Sequence, residues 1–326
     1  MTTPTQTGTD HYLDRLPTAS VIICAYTEDR WALLNESIRS VLRQTRQALE
    51  LIVCIDHNPQ LMERCLEIRP TWEDEAGDVP ITIVENRFEG RLGGARNTAA
   101  EIARGDVLAF LDDDASAEPS WLEHLLAPYR RADVLAVGGA PQPIFETSRP
   151  FWFPPQFHWV FGCYYDGLPT SLAPVPRMIG AAMSVRREAL IAVGGFHSDN
   201  HDDMDLCLRL TDNTPIQSIM FEPKAVVRHN VSKDRVRWAY FWRRCFFVNR
   251  GKVKAFRDLG PAASTRADRE FVFGAMRRSA LASLHDLRRG DLTGVARFAV
   301  LVTGVLLSIA GHAAGRLDEL TGSDRG

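Results

Sequence analysis

Three acidic residues in a row, Asp112, Asp113 and Asp114, follow directly on the apolar run VLAFL at 107–111. Adjacent carboxylates at the end of a strand repel one another unless a cation or a basic side chain lies among them. Asp112 and Asp114, two apart in an extended turn, can point the same way and share a divalent ion. Oxygen ligands with open positions suit Mg2+ or Mn2+ bridging a diphosphate; the bland alternative is a solvated turn that caps the next helix. A second acidic segment, His201-Asp202-Asp203-Met204-Asp205, opens another helical pattern. One of its carboxylates, facing a cleft, could serve as general base on an acceptor hydroxyl, while the others cap the helix. Spacing does not say which acid has which role. His229 follows a short apolar run and reads as a packing residue, unless the fold brings it to the Asp112–Asp114 cluster as a nitrogen ligand.

Positioning these groups requires a sheet. Residues 20–26 (SVIICAY), 49–55 (LELIVCI), 81–85 and 107–111 are short runs rich in Val, Ile and Leu, the pattern of parallel strands buried on both faces. Helical patterns fill the gaps at 31–43, after 56 and at 93–103. Strands alternating with helices imply βαβ units, and in such sheets ligands lie beyond the carboxyl ends of the strands. Tyr26, Asp56 and the acid cluster all fall at such ends, so three strands aim polar groups at one crevice. Further on, 178–192 reads as a strand, a turn and a helix, and 225–228 as a last short strand ending at His229. Residues 141–176, rich in proline and aromatics, read as an excursion packed over the sheet.

Composition narrows the class. The 326 residues carry 38 basic and 41 acidic side chains, a net charge of −3, so no global basic field argues for nucleic acid. Locally, ten Lys or Arg and one acid lie between Arg228 and Arg257. That is a solvated helical face or a seat for an anionic ligand or membrane. Six scattered cysteines without a CxxC pair suit a reducing compartment, with neither disulfides nor structural zinc. The Gly-rich stretch at 92–97 (LGGARN) lacks the spacing of a dinucleotide loop, and GxxxxGK[ST] and GxSxG are absent. Those absences count against dehydrogenases, P-loop enzymes and α/β-hydrolases.

Four segments in this order, SVIICAYTEDR, ELIVCIDHN, RLGGARNTAAEIARGDVLAFLDDDASAEPSWLEHL and VGGFHSDNHDDMDLCLRL, resemble the family 2 glycosyltransferases over about residues 18–255. Within that family, FLDDDA with RPFWFPPQFHWVFGCYYDGLP is most similar to glucosyl-dolichyl-phosphate glucuronosyltransferases. The resemblance implies an α/β GT-A fold, a mostly parallel sheet flanked by helices, and an inverting transfer from a nucleoside-diphosphate sugar, a UDP-sugar, to an acceptor hydroxyl. It further implies that Ala25, Tyr26, Thr27 and Glu28 form the nucleoside loop, that Asp56 bonds the base and that Arg96 lies near the nucleotide or sugar. Asp112 and Asp113 would face the donor, Asp114 and His229 would hold Mg2+ or Mn2+, and Asp203 would be the catalytic base. Arg243, Arg244 and Arg250 would lie near the leaving diphosphate. Two departures stand out: Arg91 replaces a usual Gly, and Ile55-Asp56-His57-Asn58 replaces the commoner Asp-Asp-Gly-Ser.

The expected organisation is a flexible arm at 1–17, a catalytic domain at 18–257 and a helical extension at 258–326. Residues 298–315 contain no Asp, Glu, Lys or Arg, about the lower limit for spanning a bilayer. With the basic stretch before it, residues 271–316 read as a membrane-surface contact, with a packed or dimer-forming helix and a true span as the alternatives. A polar N-terminus without an apolar h-region places the enzyme in the cytoplasm, peripheral on the cytoplasmic face, and its acceptor is expected to be a hydroxyl on a lipid-linked glycan or small glycoside.

Overall fold

The computed structural model describes residues 15–89, 91–197, 201–212, 218–255, 274, 276–277, 280–281, 287–289 and 291–321. Most of the expected arm, and much of the extension before residue 291, lie outside these. The βαβ reading holds for the first part of the chain. Strands β1 (Ala19–Ala25), β2 (Glu50–Ile55), β3 (Ile81–Glu85) and β4 (Val107–Asp112) alternate with helices α1 (Trp31–Leu42), α2 (Pro59–Ala76) and α3 (Leu92–Ile102). All four strands are parallel, in the order β3-β2-β1-β4. Their continuous apolar runs follow from burial on both faces. Val21, Ile23 and Ala25 of β1 pack with Leu34 and Ile38 of α1, whereas Ile22 faces the opposite core with Ala95 and Ala99 of α3.

Beyond β4 the sheet becomes mixed. It continues through β8 (Ala182–Arg186), β6 (Ala136–Phe145), β9 (Ile219–Val231) and β5 (Ala115–Ala117), and β7 (Ala173–Pro174) pairs with β9. β8 is antiparallel to β4 and β6, whereas β6 runs parallel to β9. Two strands are longer than their sequence pattern. β6 begins before the aromatic excursion and runs into it, and β9 extends from Ile219, well before residue 225. Helices α4 (Trp121–Leu126), α5 (Arg187–Ala192) and α6 (Asp202–Thr211) cover the sheet.

A third apolar cluster stands apart from the sheet cores. The 3-10 turn Pro155–Phe161 of the excursion packs with α7 (Trp238–Ala255) and α8 (Thr293–Thr321). Phe153, Phe157, Phe161, Phe241, Cys245 and Leu301 are its buried members. Phe153 stacks on Phe161 at 4.5 Å and meets Phe241 edge-on at 5.4 Å, offset and T-shaped geometries favoured by aromatic quadrupoles. The excursion is therefore a packed wall that joins the C-terminal helices to the sheet.

Candidate active site

The carboxyl ends of β1, β2 and β4 lie side by side, because the three strands are parallel neighbours in the sheet. β4 ends at Asp112, and the chain turns through Asp113 and Asp114 into β5, whose Ala115 is paired with His229 of β9. That antiparallel pairing carries His229 to the acids. His229 Nε2 lies 3.0 Å from Asp114 Oδ1 and 3.9 Å from Asp112 Oδ2. One ligand atom from each of Asp112, Asp114 and His229 falls within 4.8 Å of the others. Two hard oxygens and one imidazole nitrogen fit Mg2+ or Mn2+, while the absence of thiolate from the set argues against a closed zinc site.

The electrostatics of the cluster depend on its cations. Burial alone would raise Asp114, but the hydrogen bond to His229 and the charges of His229, Arg30 and Arg235 hold it down to about 2. Burial would likewise lower His229; its bonds to Asp114 and Cys163 instead raise it to about 10. Asp113 behaves in the opposite way. Burial and the charges of Asp114 and Asp112 push it up to about 7 against the pull of Arg30, and its Oδ2 is buried without a hydrogen-bond partner. Arg30 Nη1 donates to Asp113 Oδ1 at 2.8 Å and lies 3.1 Å from Asp114 Oδ2, with Arg235 3.6 Å from the same oxygen. Neither arginine stands out in the sequence. Arg30 sits in a 3-10 turn, Glu28–Arg30, and the signal that could have found it is its place just after β1, beside the same crevice. Of the arginines marked by resemblance, Arg243 and Arg244 are exposed on α7, Arg244 near enough that its charge adds to burial in lowering His201 at the start of α6, and Arg250 pairs with Asp318 of α8 at 2.6 Å.

Behind His229 lies Cys163, 66 positions away in sequence. Its Sγ is 3.2 Å from His229 Nδ1, both side chains are buried, and the adjacent Gly162 lies against the imidazole. A ligating His normally has its other nitrogen held by such a partner, which fixes the ring and its tautomer. The sequence reading treats Cys163 as a core residue, and only the tertiary fold shows this contact.

The loop expected to receive the nucleoside follows β1, beside the end of β2. Ala25 is buried and its carbonyl accepts from Asp56 N at 2.8 Å; Tyr26 is exposed, with Arg30 5.5 Å from its ring. Thr27 caps the 3-10 turn by accepting from Asp29 N, and Glu28 is the first residue of that turn. Asp56 is held rigidly. Burial would raise it, but it stays below the usual carboxylate range because Asn86 Nδ2, His57 Nδ1 and Arg91 N donate to it at 2.8, 2.8 and 2.7 Å. Both residues that replace a usual Gly adopt positive φ, His57 at 50° and Arg91 at 79°, where side chains are strained.

The second acidic segment forms the first turn of α6. Asp202 is buried against Arg96, whose Nη1 donates to Asp202 Oδ2 at 2.5 Å and whose Nη2 donates to Gly180 O at 3.0 Å and to Asp112 Oδ1 at 3.4 Å. Arg96, 2% exposed, thus ties the end of β4 to α6 and lies 5.6 Å from each of the Phe110 and Phe196 rings. Burial and the charge of Asp203 raise Asp202 to about 6 in spite of Arg96. Asp203 is half-buried and accepts from Gly180 N at 3.1 Å and from Met204 N at 2.8 Å. The next residue along, Ala181, accepts from Asp112 N at 3.4 Å. One short loop therefore holds Asp203 beside the acid cluster, while Asp205 turns away to Arg209 at 2.7 Å.

Residues 20–194 match the model of glycosyl transferase family 2. The glucosyl-dolichyl phosphate glucuronosyltransferase of Haloferax volcanii is 30% identical over 251 residues, covering 74% of this chain and 77% of that protein. Among solved structures, the mannosyltransferase PcManGT from Pyrobaculum calidifontis, in complex with GDP-Man and Mn2+, matches with a TM-score of 0.58 at 20% identity, over 94% of this chain and 88% of that one. GalNAc-T7 with UDP, GalNAc and Mn2+ matches with a TM-score of 0.54 at 16% identity, over 81% of this chain and 55% of that one. These structural likenesses show a shared chain path, the GT-A fold.

Proposed function

We propose, for a chain that belongs to glycosyl transferase family 2 and is a glycosyltransferase, that it moves a sugar from a UDP-sugar to an acceptor hydroxyl with inversion, using Mg2+ or Mn2+. The observation that carries this reading is the convergence of Asp112, Asp114 and His229 within 4.8 Å beside the loop that holds Asp203. Asp114 and His229, with Asp112, would hold the cation. When bound, it supplies Lewis-acid stabilisation of charge on a departing diphosphate.

The chain's own residues account for the rest. The loop Ala25-Tyr26-Thr27-Glu28 and the braced Asp56 receive the nucleoside. Arg30 and Arg235 hold Asp113 and Asp114 in place and offset their charge. Arg96 sets the distance between Asp112 and α6. In the transfer, the acceptor oxygen forms a bond to the anomeric carbon as the bond from that carbon to the diphosphate oxygen breaks. Asp203 takes the hydroxyl proton, and the bonding electrons leave with the nucleoside diphosphate. One base and no carboxylate nucleophile is the arrangement that suits inversion. A relative named for adding a glucuronosyl group to glucosyl-dolichyl phosphate supports a sugar hydroxyl on a lipid-linked acceptor, met at the cytoplasmic face of a membrane.

Purified protein incubated with a panel of nucleoside-diphosphate sugars, with and without Mn2+ or Mg2+, tests this by nucleotide release. Metal-dependent turnover of one donor is expected, abolished by Asp114→Ala and lowered about 10²- to 10⁴-fold by Asp203→Asn. Turnover indifferent to Asp203→Asn would move the base elsewhere. Donor binding without turnover against any acceptor would leave a silent sugar-nucleotide-binding protein.

A further inference from the structure

Helix α8 is amphipathic in an inverted sense, with its apolar stripe facing outward. Its inner face is a line of small residues, Gly304, Gly311 and Gly315, pressed against α7 and the aromatic wall. A Cβ added at Gly304 would meet the Phe157 ring at 2.6 Å, one at Gly311 the backbone oxygen of Phe246 at 2.1 Å, and one at Gly315 that of Arg250 at 2.6 Å. Its outer face carries Val295, Leu306, Ile309, Leu317 and Leu320, all exposed, at successive intervals of 11, 3, 8 and 3 residues that the helical period brings into one stripe. An exposed apolar stripe of this length marks an interaction surface.

We propose that this stripe docks in the plane of an anionic lipid surface and does not span the bilayer. The reasoning starts from how α8 is attached. Residue 304 lies against 241, residue 311 against 246 and residue 315 against 250, so α7 runs parallel to α8 and level with the uncharged segment 298–315. Arg250 pairs with Asp318 one turn further along, which confirms the same register. Arg243 and Arg244, exposed on α7, therefore lie level with the middle of that segment. A spanning α8 would carry both guanidiniums to the depth where charge is least tolerated. Lying flat, the same arrangement suits a membrane surface. The stripe enters the acyl boundary, while α7, packed on the opposite glycine face, keeps Arg243 and Arg244 out of the hydrocarbon and on the headgroup side. The charge balance favours anionic lipid. Asp318 and Glu319 of α8 are bonded to Arg250 and Arg316, whereas Arg243 and Arg244 of α7 form no ion pair among the described residues. The proposal deepens the reading of a lipid-linked acceptor, and its biological sense rests on that reading, although the geometry stands without it.

The test is co-sedimentation of the full chain with vesicles of phosphatidylcholine alone and with added phosphatidylglycerol, followed by an alkaline carbonate wash. Binding to the anionic vesicles, release by carbonate and about tenfold or greater weakening by L306E/I309E are expected. Retention through carbonate would overturn the proposal in favour of a span. Failure to bind vesicles would also overturn it. A dimer in solution that L306E/I309E dissolves would assign the stripe to a second copy. Donor hydrolysis and thermal melting, measured on the same variant, are expected to be unchanged. Loss of donor turnover in the wild type as well would count against the transferase reading and leave the docking result standing.

Discussion

Replacing Arg96 with Met separates a strut from a nucleotide ligand. Methionine keeps most of the side-chain volume between Phe110 and Phe196 but leaves Asp202 buried without its cation. With Arg96 present, Asp202 titrates at about 6. At pH 7 the folded protein with Arg96 can ionise Asp202, a relief on the order of 1 kcal/mol over a carboxyl that must stay protonated, and the variant, with its carboxyl raised further, forfeits that relief. Losing the bonds to Gly180 O and Asp112 removes about 1–2 kcal/mol more. The expected loss at pH 7 is about 3 kcal/mol, at the lower end for a broken buried pair.

The pH dependence follows from the direction of the shift. The folded-state value of Asp202 lies above its ordinary 3.8, so its contribution is largest while it is protonated and declines as pH rises through about 6. Below that point both proteins hold a neutral carboxyl, and the difference should shrink by on the order of 1 kcal/mol between pH 7 and pH 5. Urea unfolding at the two pH values measures this, with D202N and R96M/D202N as the control pair whose difference in stability should not change with pH. A loss under about 1 kcal/mol, or a loss independent of pH, would refute the strut. Unchanged stability with a raised donor KM would make Arg96 a nucleotide ligand instead.

Four other outcomes follow from the same geometry. H229Q and D114N should each weaken Mn2+ binding, read by the free-ion electron paramagnetic resonance signal, by about 10²-fold or more, since each removes a ligand from a three-donor set. C163S should keep Mn2+ affinity within a few-fold, whereas C163V should weaken it about 10- to 100-fold, because only the former can bond His229 Nδ1. R91G should stabilise the fold by about 1 kcal/mol, the strain at φ 79° exceeding the added chain entropy of glycine; a loss of stability on melting would show that the Arg91 side chain matters more. G311L should destabilise by at least about 3 kcal/mol, since its side chain has no room above the Phe246 carbonyl.

Much of the site was legible because the chemistry sits at the ends of strands with strong local signals. The apolar runs of β1, β2 and β4 point to buried parallel strands, and the acids that follow them are then forced into one crevice. β6 was hidden by composition. It contains Gly138, Gly139, Pro141 and Pro143, which depress strand propensity, yet after Gly138 it pairs on one side only, with β9, so proline costs little there. β9 was read short because Glu222-Pro223-Lys224 interrupts its apolar pattern. Arg30, Arg235 and Cys163 carry no local signature. Their roles come from long-range packing, and a residue 66 positions from its partner is invisible to periodicity.

The glycine line on α8 has a consequence for anyone who would shorten the chain to obtain a more soluble enzyme. Gly304 rests on Phe157, Phe157 belongs to the turn that leads into Gly162 and Cys163, and those two residues back His229. A fragment ending before residue 293 would expose Phe157 and Phe241 to water and loosen the wall that orients a metal ligand. Solubility gained that way would be lost again as metal affinity.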